Sequence, residues 1–545
     1  MSRGFLCGAL LLLLGRGPLF PLPAQKLLYP GEWPYDALAA LAQEQRIAFF
    51  SGAMVTVSQM QGMLEEIDGE SLSPEGGALY EKLRAYLEGP ADLSLRSGAL
   101  ELDVWAALQG ELYYNSNEKT NWIYDHTKRK PFFSFPVSLS FSPFATLELD
   151  TNVEQRRDAL NHTTNYGNFF FWDSFNFNMP HRAYLSLGLP IKKTSGLQFK
   201  IGMGEDFFGR THTGSIILSD QMTDVTYAGL SFYSPLVKYS ANIMQLKVDK
   251  YFYYHTLEAR ILRRLNFSMF EGLLVNAPLE LRYLNPTMIF HSFHAYGDYG
   301  APDDDPVIDK DNARVASFFA MKLELLVFKY TRIYGIWALN ELQTADEKRK
   351  NPRALRPDSF AFQGGSEFSI PVSWAGGGHL KFGVEGVYTF PFMYVMQGKD
   401  WSYYKPADSQ TGDLEFWTGT PFGPDSAAAS LWAGFHRPQW SLSTSLLFLA
   451  QGERSSTAIF ETNTYHPWRT KNFEETRLVS PSGRPSYTWA LGFSGTWSIK
   501  EWLTLRLDPG YKIVNNYGHA EGTEQGIELA FSVRLTPPRR FNFKF

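Results

Sequence analysis

The residues able to do chemistry in this 545-residue chain are numerous, but they are not spaced for catalysis. There is no His-Glu-x-x-His zinc motif, no Gly-x-Ser-x-Gly nucleophile elbow and no Gly-x-x-x-x-Gly-Lys phosphate loop. The eleven histidines are scattered. His291 and His294 stand three apart, which on a strand puts them on opposite faces and argues against a shared metal. Asp303, Asp304, Asp305, Asp309 and Asp311 offer the oxygen ligands that calcium takes, but their spacing matches no EF-hand and reads as a solvated loop. No metal, cofactor or enzymatic activity is expected. The aromatic rows Phe169-Phe170-Phe171-Trp172 with Phe175 and Phe177, and Tyr251 to Tyr254, could stack on the apolar faces of sugars. In a membrane barrel the same rows are expected as girdles at the lipid–water interface.

The elements that would position these residues begin with an export signal. Arg3, the apolar run Phe5 to Leu14 and the small-residue site Leu22-Pro23-Ala24 predict cleavage near Gln25. The run is about ten residues long, too short to span a bilayer as a helix, which needs ~20. Cys7, the only cysteine, lies inside it, so thiol chemistry is excluded from the processed chain. No apolar stretch of membrane-helix length follows. Aromatics nevertheless reach 16%, and the mean hydropathy is only −0.24. Strands that alternate apolar outward with polar inward residues produce this combination. A net charge of −5 without a basic run gives no electrostatic basis for nucleic-acid binding.

The pattern divides into a signal (1–24), a helical unit (25–95) and a β-region (96–545). Asp36 before an Ala/Leu-rich turn, then Met60, Leu64 and Ile67, then Leu79, Leu83 and Tyr86 behind Ser73-Pro74, predict three short helices. From about Ser97 the period becomes two: Leu100, Leu102, Val104, Ala106, Leu108, Gly110 and Leu112 alternate with Glu101, Asp103, Gln109 and Glu111. Phe368 to Trp374 and Leu380 to Val384, joined through Ala375-Gly-Gly-Gly378, predict a hairpin. Alternation continues through Tyr487 to Ser494, Leu503 to Asp508 and Ile527 to Leu535. At roughly 25 residues per strand plus connection, the β-region holds about 18 strands. The fold expected is an all-β, antiparallel transmembrane barrel with a small N-terminal α-helical unit. Stretches 152–168, 297–312, 346–358 and 399–425 are the candidate outer loops. The terminal Phe545 is similar to the C-terminal assembly signal of outer-membrane barrels, although Pro537-Pro538 obscure which strand closes the ring.

Several segments, in order, resemble the Wzi family of capsule-assembly outer-membrane proteins as far as about residue 435. They are the helices from Tyr35 and from Thr56; Phe207-Phe-Gly209-Arg210 leading to Gly214–Ser219; and Leu281-Arg282-Tyr-Leu-Asn285-Pro286 entering an apolar strand. Tyr334-Gly with Asn340-Glu341, and Gly419-Thr-Pro421-Phe-Gly423-Pro424-Asp425, complete the set. Departures include Phe207-Phe208 where the family commonly has tryptophan, and Asn340-Glu341 in place of an acidic pair. The resemblance implies an 18-stranded barrel and a lectin-like, non-catalytic role in holding surface polysaccharide. The motif positions Gly209, Arg210, Arg282, Asn285, Pro286, Glu341, Gly419, Pro421, Gly423, Pro424 and Asp425 are its candidate site residues. Expected partners are outer-membrane lipid, surface polysaccharide and, during insertion, the barrel-assembly machinery, with the protein a monomer. The alternative is a pore or hydrophobic-solute transporter whose helices partly occlude the lumen.

Overall fold

The computed structural model describes residues 22–50, 52–89, 91–122, 129–155, 165–169, 175–192, 194–220, 222–290, 315–342, 345–350, 358–395, 402–406, 415–453, 479–537 and 541–544. The apolar leader, His291 and His294, the Asp303–Asp311 cluster, Phe170 to Trp172 and Phe545 lie outside the described residues.

Eighteen strands close into one antiparallel barrel. The first, β1, is broken into Leu100–Val104 and Ala107–Asn115, where the Trp105 N–H still donates to Pro136 O across the ladder but the Ala106 N–H turns to the Asp92 carboxylate (3.1 Å). It is followed by β2 (Phe133–Phe141), β3 (Ala145–Gln155), β4 (Phe175–Lys192), β5 (Ser195–Gly204), β6 (Val225–Tyr233), β7 (Val237–Lys247), β8 (Lys250–Ile261) and β9 (Leu265–Asn276). The second half comprises β10 (Val315–Leu325), β11 (Thr331–Glu341), β12 (Ser359–Val372), β13 (Gly378–Thr389), β14 (Ser426–His436), β15 (Trp440–Gln451), β16 (Ser486–Lys500), β17 (Leu503–Asn515) and β18 (Thr523–Leu535). The predicted hairpin is β12–β13, with Phe368 opposite Phe382. Closure comes from β18 against β1, Leu529 facing Tyr114 and Leu535 facing Leu108. Beyond the prolines, Phe541–Lys544 adds in parallel to a short strand, Leu93–Ser97, which is itself hairpinned onto β1.

The alternation has the sense a bilayer requires. Leu108, Leu112, Leu139, Leu147, Leu189, Leu431, Trp489 and Phe493 point outward and are 40–55% exposed. Glu101, Asp103, Glu111, Ser138 and Glu148, on the other face, are buried. A closed ring satisfies every strand hydrogen bond without water and turns its apolar face to lipid, so this is the architecture of an outer-membrane barrel. At one end the connections are short turns, such as Ile261 to Leu265 and His436 to Trp440. At the other, several are long, and by the usual construction of such barrels that end faces the cell exterior.

The helical unit fills the short-turn end. α1 (Trp33–Gln45) begins before Asp36, because Pro34 suits the first turn, and it ends where Arg46 turns left-handed. Ten of its thirteen residues are buried, as befits a helix enclosed on all sides. α2 (Val57–Glu65) carries a capping box between Thr56 and Gln59, and Ser73 caps α3 (Pro74–Leu87) as its sequence predicts. Leu38, Leu41, Met60, Leu64, Leu83 and Leu87 form the core of the unit. It is stitched to the barrel turns, Ala48 N–H donating to Arg263 O and Tyr330 N–H to Gln43 O.

The described parts of two further segments, 205–224 and 390–425, fold inward from the opposite end. Phe208 bridges Leu218, the Ser219 N–H donates to Thr418 O (2.8 Å), and the Tyr394 hydroxyl donates to Ile216 O (2.7 Å). The part of 399–425 that is described is therefore interior rather than an outer loop. Tyr251 to Tyr254 are likewise not a girdle: Phe252 and Tyr254 pack into the lumen core, while Tyr253 is covered by Tyr283 and Phe290. With a plugged lumen both faces of β8 find apolar partners.

Candidate functional site

Two of the motif positions, Gly209 and Arg210, meet inside the barrel at a buried ionic junction. The Glu367 carboxylate of β12 accepts from Gln43 of α1 (3.1 Å), from Arg210 of the inward segment (2.9 Å) and from Arg332 of β11 (3.2 Å). Arg332 also donates to the Arg210 carbonyl (2.7 Å) and pairs with Glu324 (3.0 Å), which Lys322 reaches at 2.8 Å. Lys322, Glu324 and Arg332 are 1–3% exposed. Such charges are tolerated in an interior only because each is paired, and removing one partner costs about 3–5 kcal/mol. Helix, inward segment and wall thus share one carboxylate. Gly209 sits beside it with its N–H on the Gly52 carbonyl (2.7 Å), which also ties the helical unit to the inward segment.

The second cluster is Gly419–Asp425. Gly419 is required by space, since a Cβ there would lie 2.2 Å from the Tyr394 hydroxyl. Pro421 closes over Gly214 of the other inward segment. Gly423 has φ +70°, and its carbonyl accepts from Thr389 (2.9 Å). Pro424 is buried, and Asp425 is fully so, its carboxylate accepting from the Ser482 N–H at 2.9 Å. Glu341 ends β11 on the same side. Its charge adds to burial in raising the Tyr403 hydroxyl pKa well above its ordinary value. In this conformation Gly419–Asp425 lock the plug and present no open surface.

Arg282, Asn285 and Pro286 are not part of this assembly. Leu281–Leu284 is a 3₁₀ turn, and the described residues directly after it, as far as Phe290, form no strand. The turn lies on the lipid side of the wall. There Tyr253 stacks near Tyr283 (5.3 Å), Arg282 pairs with Glu280, and the Pro286 carbonyl accepts from Tyr239. Asn285 caps its own loop by accepting from Thr287.

Packing around the lumen is uneven. Strands β4 to β13 direct Tyr184, Tyr227, Phe252, Tyr254, Phe270 and Phe318 into the plug. Strands β14 to β18 and β1 instead border a cavity of about 1200 Å³. Its wall is built of small inward residues, Ser443 and Ser445 on β15, Thr488, Ala490, Gly492 and Ser494 on β16, and Gly510 on β17. Side chains of that size leave space for on the order of 40 waters at ~30 Å³ each. His212 and Trp432 stack at 3.9 Å on its plug side. Arg506 with Asp508 (2.7 Å) and Lys512 with Glu528 (2.8 Å) line its wall. Sequence reading passed over these residues. The available signal was the run of Ser, Thr, Ala and Gly at alternate positions of β15 and β16.

The fold has a known counterpart. Wzi of Escherichia coli, described as a carbohydrate-binding outer-membrane β-barrel involved in group 1 capsule assembly, superposes with a TM-score of 0.57 at 12% identity, covering 93% of this chain and 98% of Wzi. This chain has the Wzi barrel fold. Coverage of 93% carries the likeness to Wzi past residue 435, where recognisable motifs end. Pseudomonas aeruginosa OpdL (TM-score 0.40, 11% identity, 80% of this chain and 98% of that one) and OprD (0.39, 9%, 80% and 95%) are more distant than Wzi, too distant to bear on this chain's role. No protein-family model and no curated protein matches the sequence.

Proposed function

We propose that this protein attaches or helps assemble a surface polysaccharide at the outer membrane, acting as a lectin-like, non-catalytic barrel. The observation that carries the reading is the double plug. A helical unit from one end and two inward segments from the other are joined on Glu367, in a barrel whose fold is that of Wzi. A lumen filled to that extent suits retention better than bulk transport, and a repeating glycan needs only modest contacts repeated many times. Outer-membrane lipid, the glycan and, during insertion, the assembly machinery are the partners of this reading, with the barrel as a monomer. The deciding experiment is binding of the detergent-folded protein to the surface polysaccharide of its own organism, with heat-modifiable gel mobility reporting the fold. Saturable binding is expected; a folded barrel that binds none would sink the proposal.

The cavity favours a second reading, passage of small polar solutes along the wall of β14 to β18. Planar-bilayer recording separates the two. Steady current abolished by Ala490→Trp would favour the pore, and a silent barrel the attachment protein.

A further inference from the structure

The cavity carries an uneven set of charges along β1, β17, β18 and the connection that leads into β2. Arg129, Lys130, Arg506 and Lys512 face Glu111, Asp508 and Glu528 there, four cations against three carboxylates. Three of the cations are paired: Arg129 with Glu111 (3.7 Å), Arg506 with Asp508 (2.7 Å) and Lys512 with Glu528 (2.8 Å). Lys130 is the remaining one. Its backbone is held firmly, the N–H on Glu111 (3.3 Å) and the carbonyl under Asn168 (3.1 Å), but among the described residues its ammonium has no partner. Burial, with Arg506 and Arg129 nearby, holds that ammonium below its ordinary pKa against the opposing pull of Glu111 and Asp508. An ammonium without a counter-ion, set beside two guanidiniums at the edge of a cavity wide enough for a ligand, is a place where an anion would be held by charge-assisted hydrogen bonds.

The remaining lining suits a sugar. Trp122, Trp432 and Tyr113 line it, each with a partner on one face (Phe422, His212 and Arg129), and Ser443, Ser445 and Thr488 offer hydroxyls that donate and accept. Lys119 and Tyr517, both substantially exposed, border the cavity near the end with the long connections. A saccharide of a few residues fits a space of about 1200 Å³, which is at the large end of small-ligand pockets.

We propose that this cavity is an internal binding site for a carboxylate-bearing saccharide, the carboxylate seated on Lys130 between Arg129 and Arg506 and the rings against the cavity's aromatic faces. The site rests on the attachment reading and names its ligand class: an acidic glycan, held by a short segment inside the lumen. The motif loop Gly419–Asp425, being buried, serves to hold the plug that forms the cavity's opposite side.

The test is titration of the full-length, detergent-folded protein with trigalacturonate and with maltotriose, read by tryptophan fluorescence and calorimetry. Trigalacturonate should bind saturably and at least tenfold more tightly than maltotriose. Lys130→Met should lose at least tenfold of that affinity, Lys130→Arg should keep most of it, and Ala490→Trp, which projects an indole from the wall into the cavity, should lower it at least tenfold. All variants should retain heat-modifiable mobility. Trigalacturonate binding that survives both Lys130→Met and Ala490→Trp would overturn the internal site. So would a wild-type barrel that binds the organism's whole polysaccharide but not the trisaccharide; in that case attachment stands and only the site fails. A wild-type barrel that binds neither would remove both.

Discussion

The two halves of the lumen are built on the same strand geometry and end in opposite states. Along β4 to β13, large inward side chains meet the plug and form a dense core in which Phe252 and Phe270 are fully buried. Along β15 and β16, Ser, Thr, Ala and Gly stand at many of the equivalent positions, and the same plug faces a cavity of about 1200 Å³. Inward side-chain size, rather than strand number or register, therefore decides where a barrel of this width is solid and where it is hollow. The solid half can fix the plug, and the hollow half is left for a ligand.

The sharpest way to break this comparison is to remove a charge from the solid half. Arg332→Met leaves Glu324 and Glu367 short of a buried partner and should lower stability by about 3–5 kcal/mol, read as the urea midpoint of the folded, heat-modifiable form. A cost under about 1 kcal/mol would mean that the junction does not anchor the plug. A matched pair then sets packing against space. Phe252→Ala should cost about 3–5 kcal/mol as a cavity in a dense core. Ala490→Phe, entering existing space, should stay within about 0.5 kcal/mol. Equal costs would erase the distinction between the halves.

A smaller effect is expected where the inward segments meet. Gly419→Val drives a side chain into Tyr394 and should cost about 1–3 kcal/mol, expelling 415–425 and opening it to limited proteolysis while the barrel band persists. The smallest effect is a pH dependence. Burial lowers the His212 pKa below its ordinary 6.5, against the opposing pull of Glu385, Glu367 and Asp36, so the docked segment binds fewer protons than the released one. Docking is then fullest above about pH 6.5 and weakens as pH falls toward the docked-state pKa. Quenching of Trp432 by stacked His212 should change over that window and flatten in His212→Gln; a flat wild-type profile would show that the imidazole does not report docking.

Much of the fold was legible in advance, and the reasons are local. Ser73-Pro74 and the Thr56–Gln59 box carry helix starts in their own chemistry. Alternation from Leu100 onward carries barrel strands, because one face must meet lipid and the other polar groups. Tyr251 to Tyr254 misled for a physical reason: period two separates the faces of a strand but does not say which apolar face meets lipid and which meets a plug. The Arg282–Pro286 motif led to a turn on the outer wall, since a short apolar run following Asn-Pro is compatible with either outcome.

The candidate site divides along the same line. Gly209, Arg210 and Gly419–Asp425 could be singled out by type and order, but not that the two inward segments would lock together across the lumen. Lys130, Arg506 and Trp432 belong to strands and loops far apart in the chain and share no spacing that a linear reading could detect. By itself, the sequence determined an outer-membrane barrel of about 18 strands with capped helices before it, because caps and periods act over a few residues. Which half of the lumen is filled, which carboxylate joins plug to wall, and which lysine is left facing a cavity were decided only by closure of the ring, which brings the inward faces of distant strands around one shared space.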